Sequence, residues 1–120
     1  MTNEQRAEQL IKKYGFDFEQ IPKEEIIELM QKEIEDYQAG SSEYIRVLCG
    51  YLYCIGNSSD VPLLKKAQYG INMDVGCVID GEWIESLENG GVGSDYVNPR
   101  EKIIADFVAY YTNFEAGDEW

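Results

Sequence analysis

The sequence predicts an all-α fold, in which about six helices pair as antiparallel hairpins and stack into a short α-solenoid. Apolar residues recur at helical spacing in most segments, and clusters of Gly, Ser and Asn separate these segments. The apolar segments offer no good set of strands for a sheet. A chain of 120 residues, of which 44% are hydrophobic, forms one domain (1–120) with one core.

The first two helices are predicted over residues 3–14 and 22–38. Gly15 is a natural stop for the first helix, and Pro22 suits the first turn of the second. In this second helix, acidic residues fill one side and apolar residues occupy an arc of about 100°. The apolar arc consists of Ile26, Ile27, Met30, Ile34 and Tyr37.

Three further helices follow from the same spacing. Residues 42–56, SEYIRVLCGYLYCIG, are apolar nearly all round, which is typical of a helix covered on several sides. We therefore expect this segment to be the central helix. Residues 61–69 form the next helix, with Pro62 in its first turn. The last helix is predicted from Pro99 to about Phe114.

Residues 71–87, INMDVGCVIDGEWIESL, fit a β-hairpin. Alternate residues from Ile71 to Ile79 are apolar, and the Asp80-Gly81 pair that follows is a strong hairpin signal. Two strands without a third to pair with are only marginally stable, however.

The same segment also fits a helix, which is the structure we expect. Gly76 and Gly81 would lie inside this helix and would each cost about 1 kcal/mol relative to Ala. Whether the helix is continuous, broken or replaced by a hairpin therefore stays open. Trp83 is expected in the core, because it belongs to a row spaced by four residues. This row is Ile71, Val75, Ile79, Trp83 and Leu87.

The run IRVLCGYLYCIGNSSDVPLLKKAQYGINMDVGCVIDGEWI, about a third of the chain, resembles the HEAT-like helical-repeat immunity proteins of bacterial polymorphic toxin systems. The resemblance implies a HEAT-like all-α fold and a binding role without catalytic residues. The chain lacks the basic residue of an ordinary HEAT pattern in the second helix of the pair. The resemblance is carried by Leu48, Leu52, Ile55, Gly56, Asn57, Asp60, Pro62, Leu63, Leu64, Ala67, Asn72, Asp74, Cys77, Ile79, Asp80 and Gly81.

The charge of the chain is strongly negative and unevenly distributed. The net charge is −13, which disfavours binding to nucleic acids and to anionic membranes. Residues 71–120 alone carry 11 acidic and 2 basic residues. Such a field attracts cationic partners, although an acidic surface also serves solubility.

Three features that the sequence lacks bear on the compartment of the protein and on the state of its cysteines. The chain has no apolar run of about 18 residues, and its first residues, MTNEQRAEQLIKKYG, lack a signal segment. We therefore expect a cytoplasmic protein. Cys49, Cys54 and Cys77 form no C-x-x-C pair, and we expect buried free thiols.

Residue types and spacings disfavour an enzyme. The chain has no His, which is the usual neutral-pH base and the commonest metal ligand. The glycine-rich GGVGSD lacks the Lys of a phosphate-binding loop, and the acidic residues are not spaced as a calcium loop. We expect no catalytic, cofactor or metal site.

The expected function is that of an immunity protein that binds a cognate toxin domain, for example a basic nuclease. In one continuous helix, Asp74, Glu85 and Glu88 would share an exposed arc of about 60°. The alternative is an adaptor or scaffold domain that binds a peptide or protein in a groove between its helices. The predicted partner contacts are Asp74, Asp80, Glu82, Glu85, Glu88 and Asp95.

Overall fold

The computed structural model describes residues 1–79, 81–94 and 97–114, and all regular elements in these ranges are helical. The all-α prediction is thereby confirmed. None of the described helices is both long and apolar enough to cross a membrane. The α-helices are α1 (Asn3–Tyr14), α2 (Lys23–Glu35), α3 (Glu43–Ile55), α4 (Val61–Gly70), α5 (Met73–Val78), α6 (Gly81–Glu88) and α7 (Arg100–Thr112); two 3₁₀ helices are Phe18–Gln20 and Ser58–Asp60.

Both ends of α1 follow from local sequence. The Thr2 hydroxyl accepts a hydrogen bond from the Gln5 N–H, and the Gln5 side chain accepts one from the Thr2 N–H. This reciprocal pair satisfies two N–H groups that lack partners inside the helix. At the other end, Gly15 has a φ of +63° and donates its N–H to the Ile11 carbonyl at 2.8 Å. Gly15 therefore ends the helix, as predicted.

Helix α3 lies at the centre of the molecule, in contact with α1, α2, α4, α5 and α6. Ten of its 13 residues are buried, which confirms the prediction of a central helix. On a further side, the Phe107 ring of α7 packs directly against Gly50. A Cβ atom at Gly50 would lie 2.7 Å from Cδ2 of Phe107, so only glycine permits this approach.

Two consecutive sets of helices stack on each other. Helix α2 packs on α3, and α4 packs on α5 and α6, while α4 joins the two sets through contacts with α2 and α3. An ion pair between Lys23 Nζ and Asp60 Oδ2, at 2.7 Å, links the start of α2 to the start of α4. The stacking of consecutive helical sets is consistent with the predicted helical repeat, but the second set contains three helices instead of a pair.

The segment 71–87 is a broken helix. Helix α5 ends before Ile79, which is extended (φ −81°, ψ 120°), and α6 begins at Gly81. The break gives seven α-helices in the described residues instead of six. At the break, Gln68 Nε2 donates to the Ile79 carbonyl at 3.1 Å. A Cβ atom at Gly76 would lie 2.9 Å from the Gln68 carbonyl, so this glycine allows α5 to approach α4 closely.

The three cysteines occupy two kinds of environment. Cys49 and Cys54 are buried free thiols, and burial raises the pKa of Cys54 to about 12. Cys77 is exposed, so the prediction of burial is wrong for it. Cys77 belongs to the short helix α5, whose buried side holds Val75.

Candidate partner-binding surface

Helix α6 has an acidic side and a buried side. Its acidic residues are spaced by three positions, so they lie within an arc of about 120° at 100° per residue. Its other large side chains are covered by α3 and α4. The acidic side consists of Glu82, Glu85 and Glu88, and the buried side of Trp83, Ile84, Ser86 and Leu87.

Contacts with α3 fix the orientation of α6. Trp83 is buried, as predicted, and stacks on Tyr53 with 6.3 Å between the ring centroids. The Tyr53 hydroxyl lies 2.7 Å from Ser86 Oγ, and the Arg46 guanidinium lies 5.2 Å from the Trp83 ring centroid. Sequence reasoning missed this hydrogen bond, although Ser86 is the one hydroxyl residue among the apolar residues of α6.

The three carboxylates of α6 differ in their engagement with the rest of the protein. Glu82 is partly buried and accepts hydrogen bonds from the Asn98 N–H and side-chain amide, at 2.9 and 3.1 Å. Glu88 Oε2 lies 3.8 Å from Lys65 Nζ, and both side chains are about half exposed. Such surface ion pairs contribute little to stability. Glu85 is exposed and forms no ion pair with the described residues.

Asp74 is also exposed and forms no ion pair within the described ranges, but it belongs to α5. The prediction that Asp74 shares one helical arc with Glu85 and Glu88 is therefore wrong, because the extended Ile79 interrupts the helix. The predicted contacts Asp80 and Asp95 lie outside the described residues.

Both basic residues of 71–120 have partners on elements other than α5 and α6. The Arg100 Nη2 donates to three carbonyl oxygens in the last turn and cap of α3, at 2.9 to 3.1 Å. These carbonyls have no partner within the helix, and a cation stabilises this end of the helix dipole. Lys102 pairs with Asp106 of the same helix at 3.0 Å. Neither cation forms an ion pair with Glu85 or Glu88 within the described ranges.

A second charged cluster, at the other end of the chain, was missed by sequence reasoning. Arg6 of α1 donates two hydrogen bonds to Glu33 of α2, at 2.7 and 3.1 Å. Glu33 is only 3% exposed, and hydrogen bonding to it raises the pKa of Arg6 above its ordinary value. The guanidinium lies 3.7 Å from the Tyr44 ring centroid. A signal existed, since Glu33 lies next to Ile26 at the edge of the apolar arc of α2.

The same cluster also forms hydrogen bonds to the segment that connects α2 to α3. Asn3 accepts a hydrogen bond from Arg6 at 2.8 Å. The Asn3 amide donates to the carbonyls of Gln38 and Ser41 at 2.9 and 2.7 Å. The buried polar groups thus satisfy one another, and the cluster fastens α1 to α2 and α3 without leaving a free charge.

A cleft of about 660 Å³ lies beside this cluster. Its ionisable walls are largely compensated, since Arg6 pairs with Glu33 and Lys12 pairs with Glu8 at 3.1 Å. The cleft therefore offers a mainly apolar groove between helices. It is lined by Met1, Arg6, Gln9, Leu10, Lys12, Lys13, Tyr14, Leu29 and Tyr44.

The described residues contain no group of three or more His, Cys, Asp or Glu side chains arranged to hold a metal ion. The described residues form a small helical domain with a buried, compensated ionic cluster between α1 and α2 and two exposed carboxylates, Asp74 and Glu85, that form no ion pair within these residues. No family model, curated protein or solved structure matches the chain.

Proposed function

We propose that the protein is a cytosolic immunity protein that neutralises a cognate bacterial toxin by direct binding in a one-to-one complex. The binding site is the acidic surface, which we define as Asp74 of α5 together with Glu82, Glu85 and Glu88 of α6. One observation carries the proposal: Asp74 and Glu85 are exposed and form no ion pair among the described residues, while Arg100 and Lys102 have other partners. The resemblance of residues 45–84 to HEAT-like immunity proteins points to the same role.

The physical basis is electrostatic complementarity. A nuclease toxin carries basic residues where it contacts phosphates, and an acidic protein that covers them excludes the nucleic acid. Opposite charges also raise the association rate, which is most useful to an inhibitor that must act before damage occurs. Rigid attachment of α6 through Trp83 and Ser86 keeps its carboxylates in place.

The proposal is tested by co-expression with the toxin domain encoded by the neighbouring upstream gene, scored for rescue of growth. We expect the wild-type protein to restore growth. The triple variant Asp74→Lys, Glu85→Lys, Glu88→Lys should lose rescue, because it places three cations against a basic partner.

The matched control reverses three exposed acidic residues of α2, as Glu24→Lys, Glu25→Lys, Glu35→Lys. This variant has the same net charge as the first triple variant, and we expect it to retain rescue. Equal loss in both variants would contradict the assignment of the acidic surface. Failure of the wild-type protein to restore growth would overturn the proposed function itself.

The cleft beside Arg6 favours a second candidate, an adaptor domain that binds an apolar peptide between α1 and α2. Salt dependence separates the two. Binding through the acidic surface should weaken by more than tenfold between about 50 and 500 mM salt. Peptide binding in the cleft should change less, because two of the cations in its walls, Arg6 and Lys12, are already paired with Glu33 and Glu8.

A further inference from the structure

Two large apolar side chains are exposed at the corner between α4 and α5. Tyr69 is 77% exposed and Met73 is 84% exposed, and neither makes a hydrogen bond or ring contact within the described ranges. Tyrosine and methionine are enriched in the buried centres of protein interfaces. Single exposed apolar residues are ordinary, but here two occur within five residues.

The fold does not need these two side chains. Helix α4 is held by its buried residues Val61, Leu64 and Ala67, and α5 by Val75. The corner is further fastened by the hydrogen bond from Gln68 to a backbone carbonyl. Removal of either exposed side chain should therefore leave the fold intact.

The corner adjoins Asp74 of the acidic surface. Tyr69 and Met73 are four positions apart in the chain, so their Cα atoms are at most about 15 Å apart. A standard interface covers about 800 Å² on each partner, which corresponds to 20–30 residues. Asp74 follows Met73 directly and is exposed with it, so the apolar pair and an uncompensated carboxylate face solvent side by side along the chain.

We propose that Tyr69 and Met73 form the apolar anchor of the interface with a basic protein partner, whose Arg or Lys side chains contact the Tyr69 ring and the Asp74 carboxylate. This inference rests on the proposed function. A cation is attracted to the face of an aromatic ring, and the thioether of Met adapts to irregular surfaces. The carboxylates steer the partner, and the anchor slows its dissociation.

Lys66 provides a test of the partner's charge. It is exposed on α4, one turn before Tyr69, and its Cγ would lie 3.7 Å from a Cβ atom at Gly70. A basic partner that contacts Tyr69 would be repelled by Lys66. Lys66→Glu should therefore raise the association rate about threefold at low salt.

The experiment measures association and dissociation rates of the purified upstream toxin domain at several salt concentrations. For Tyr69→Ala, Met73→Ala we expect a dissociation rate at least tenfold higher, with the salt dependence of wild type. For Asp74→Asn, Glu85→Gln we expect a lower association rate and a weaker salt dependence. Val92→Ala, at an exposed apolar residue elsewhere (68% exposed), is the matched control.

The possible results distinguish failure of the Tyr69/Met73 anchor from failure of the proposed function. If the Tyr69/Met73 variant dissociates as slowly as the Val92 control, or if Lys66→Glu lowers the association rate, the anchor is overturned while the proposed function stands. If the wild-type protein does not bind the toxin domain, the proposed function is overturned and the anchor with it. Urea denaturation of the Tyr69/Met73 variant should match wild type, which excludes unfolding as the cause of lost binding.

Discussion

Glu33 and Glu85 illustrate how the same residue type serves opposite purposes in two regions of this molecule. Glu33 is buried in the N-terminal region, where the Arg6 guanidinium holds both carboxylate oxygens. Glu85 is exposed on α6 and has no cationic partner in the described structure. The first carboxylate is committed to joining helices, whereas the second remains available to another molecule.

The comparison teaches that position, rather than net charge, decides what a carboxylate does. Desolvation of a buried carboxylate is costly unless a cation and hydrogen bonds replace the lost water. An exposed carboxylate keeps its water, so it needs no internal partner and contributes little to folding. Exposed carboxylates of the second kind, such as Asp74 and Glu85, are the strongest candidates for partner binding.

The largest expected effect comes from Glu33→Ala, which would leave Arg6 partly buried without its partner. We expect the free energy of unfolding to fall by about 3 kcal/mol, because an uncompensated buried charge is strongly destabilising. Urea denaturation measures this change. The matched control is Glu28→Ala, which removes an exposed pair with Lys32 and should cost at most about 0.5 kcal/mol.

The double variant Arg6→Leu, Glu33→Leu sharpens this test. Apolar replacement of both partners of a buried ion pair is often close to neutral, so we expect the double variant to be more stable than Glu33→Ala. A loss below about 1 kcal/mol for Glu33→Ala would show that the Arg6–Glu33 ion pair does not hold α1 to α2.

Alkaline pH is expected to lower the stability of the fold by an intermediate amount. It acts on buried groups that are uncharged in the folded protein, in contrast to the charged Glu33. Burial raises the pKa of Cys54 from 9.0 to about 12, and burial also raises the pKa of Tyr53. Above pH 9 the unfolded chain loses the thiol proton while the folded chain retains it. Stability therefore falls as pH rises from about 9 to about 12, and between pH 9 and 10 this thiol alone accounts for a loss of about 1 kcal/mol.

The variant Cys54→Ala isolates this contribution. Its unfolding free energy should fall less steeply between pH 9 and 11 than that of the wild-type protein, as measured by urea denaturation at each pH. Val47→Ala, a variant of another buried residue of α3, should lower stability without changing the slope. Equal slopes for Cys54→Ala and wild type would contradict the prediction.

The smallest effect is expected from Asp74→Asn, Glu85→Gln. Both residues are exposed and make no ion pair within the described ranges, so the free energy of unfolding should change by less than about 0.5 kcal/mol. The measurement is urea denaturation at low and high salt. A loss of more than 1 kcal/mol would mean that these carboxylates support the fold, and the contrast with Glu33 would disappear.

Local chemistry made much of the fold predictable. Gly15 ends α1 because glycine readily adopts a positive φ, and the apolar residues around α3 require cover on every side. The two glycines in 71–87 also raised the possibility of a broken helix. The place of the break was not predictable, because it depends on how Gln68 and Gly76 meet when α5 packs on α4.

The candidate site was only partly predictable. Sequence reasoning selected acidic residues by charge density, and the structure places Glu85 and Glu88 on an exposed side of α6. It could not tell that Glu82 is engaged by Asn98, because the two residues are 16 positions apart. For the same reason it could not place Arg100 at the end of α3, 44 positions before it in the chain.

The sequence by itself determined the all-α class, the central helix and the excess of negative charge. Helical periodicity depends only on residues close together in the chain, and net charge depends only on composition. The tertiary structure alone decided which charges are compensated. Arg6 reaches Glu33 across 27 positions, and Arg100 reaches the end of α3 across more than 40. Compensation requires two groups within about 4 Å of each other in space, and only the packing of helices sets that distance.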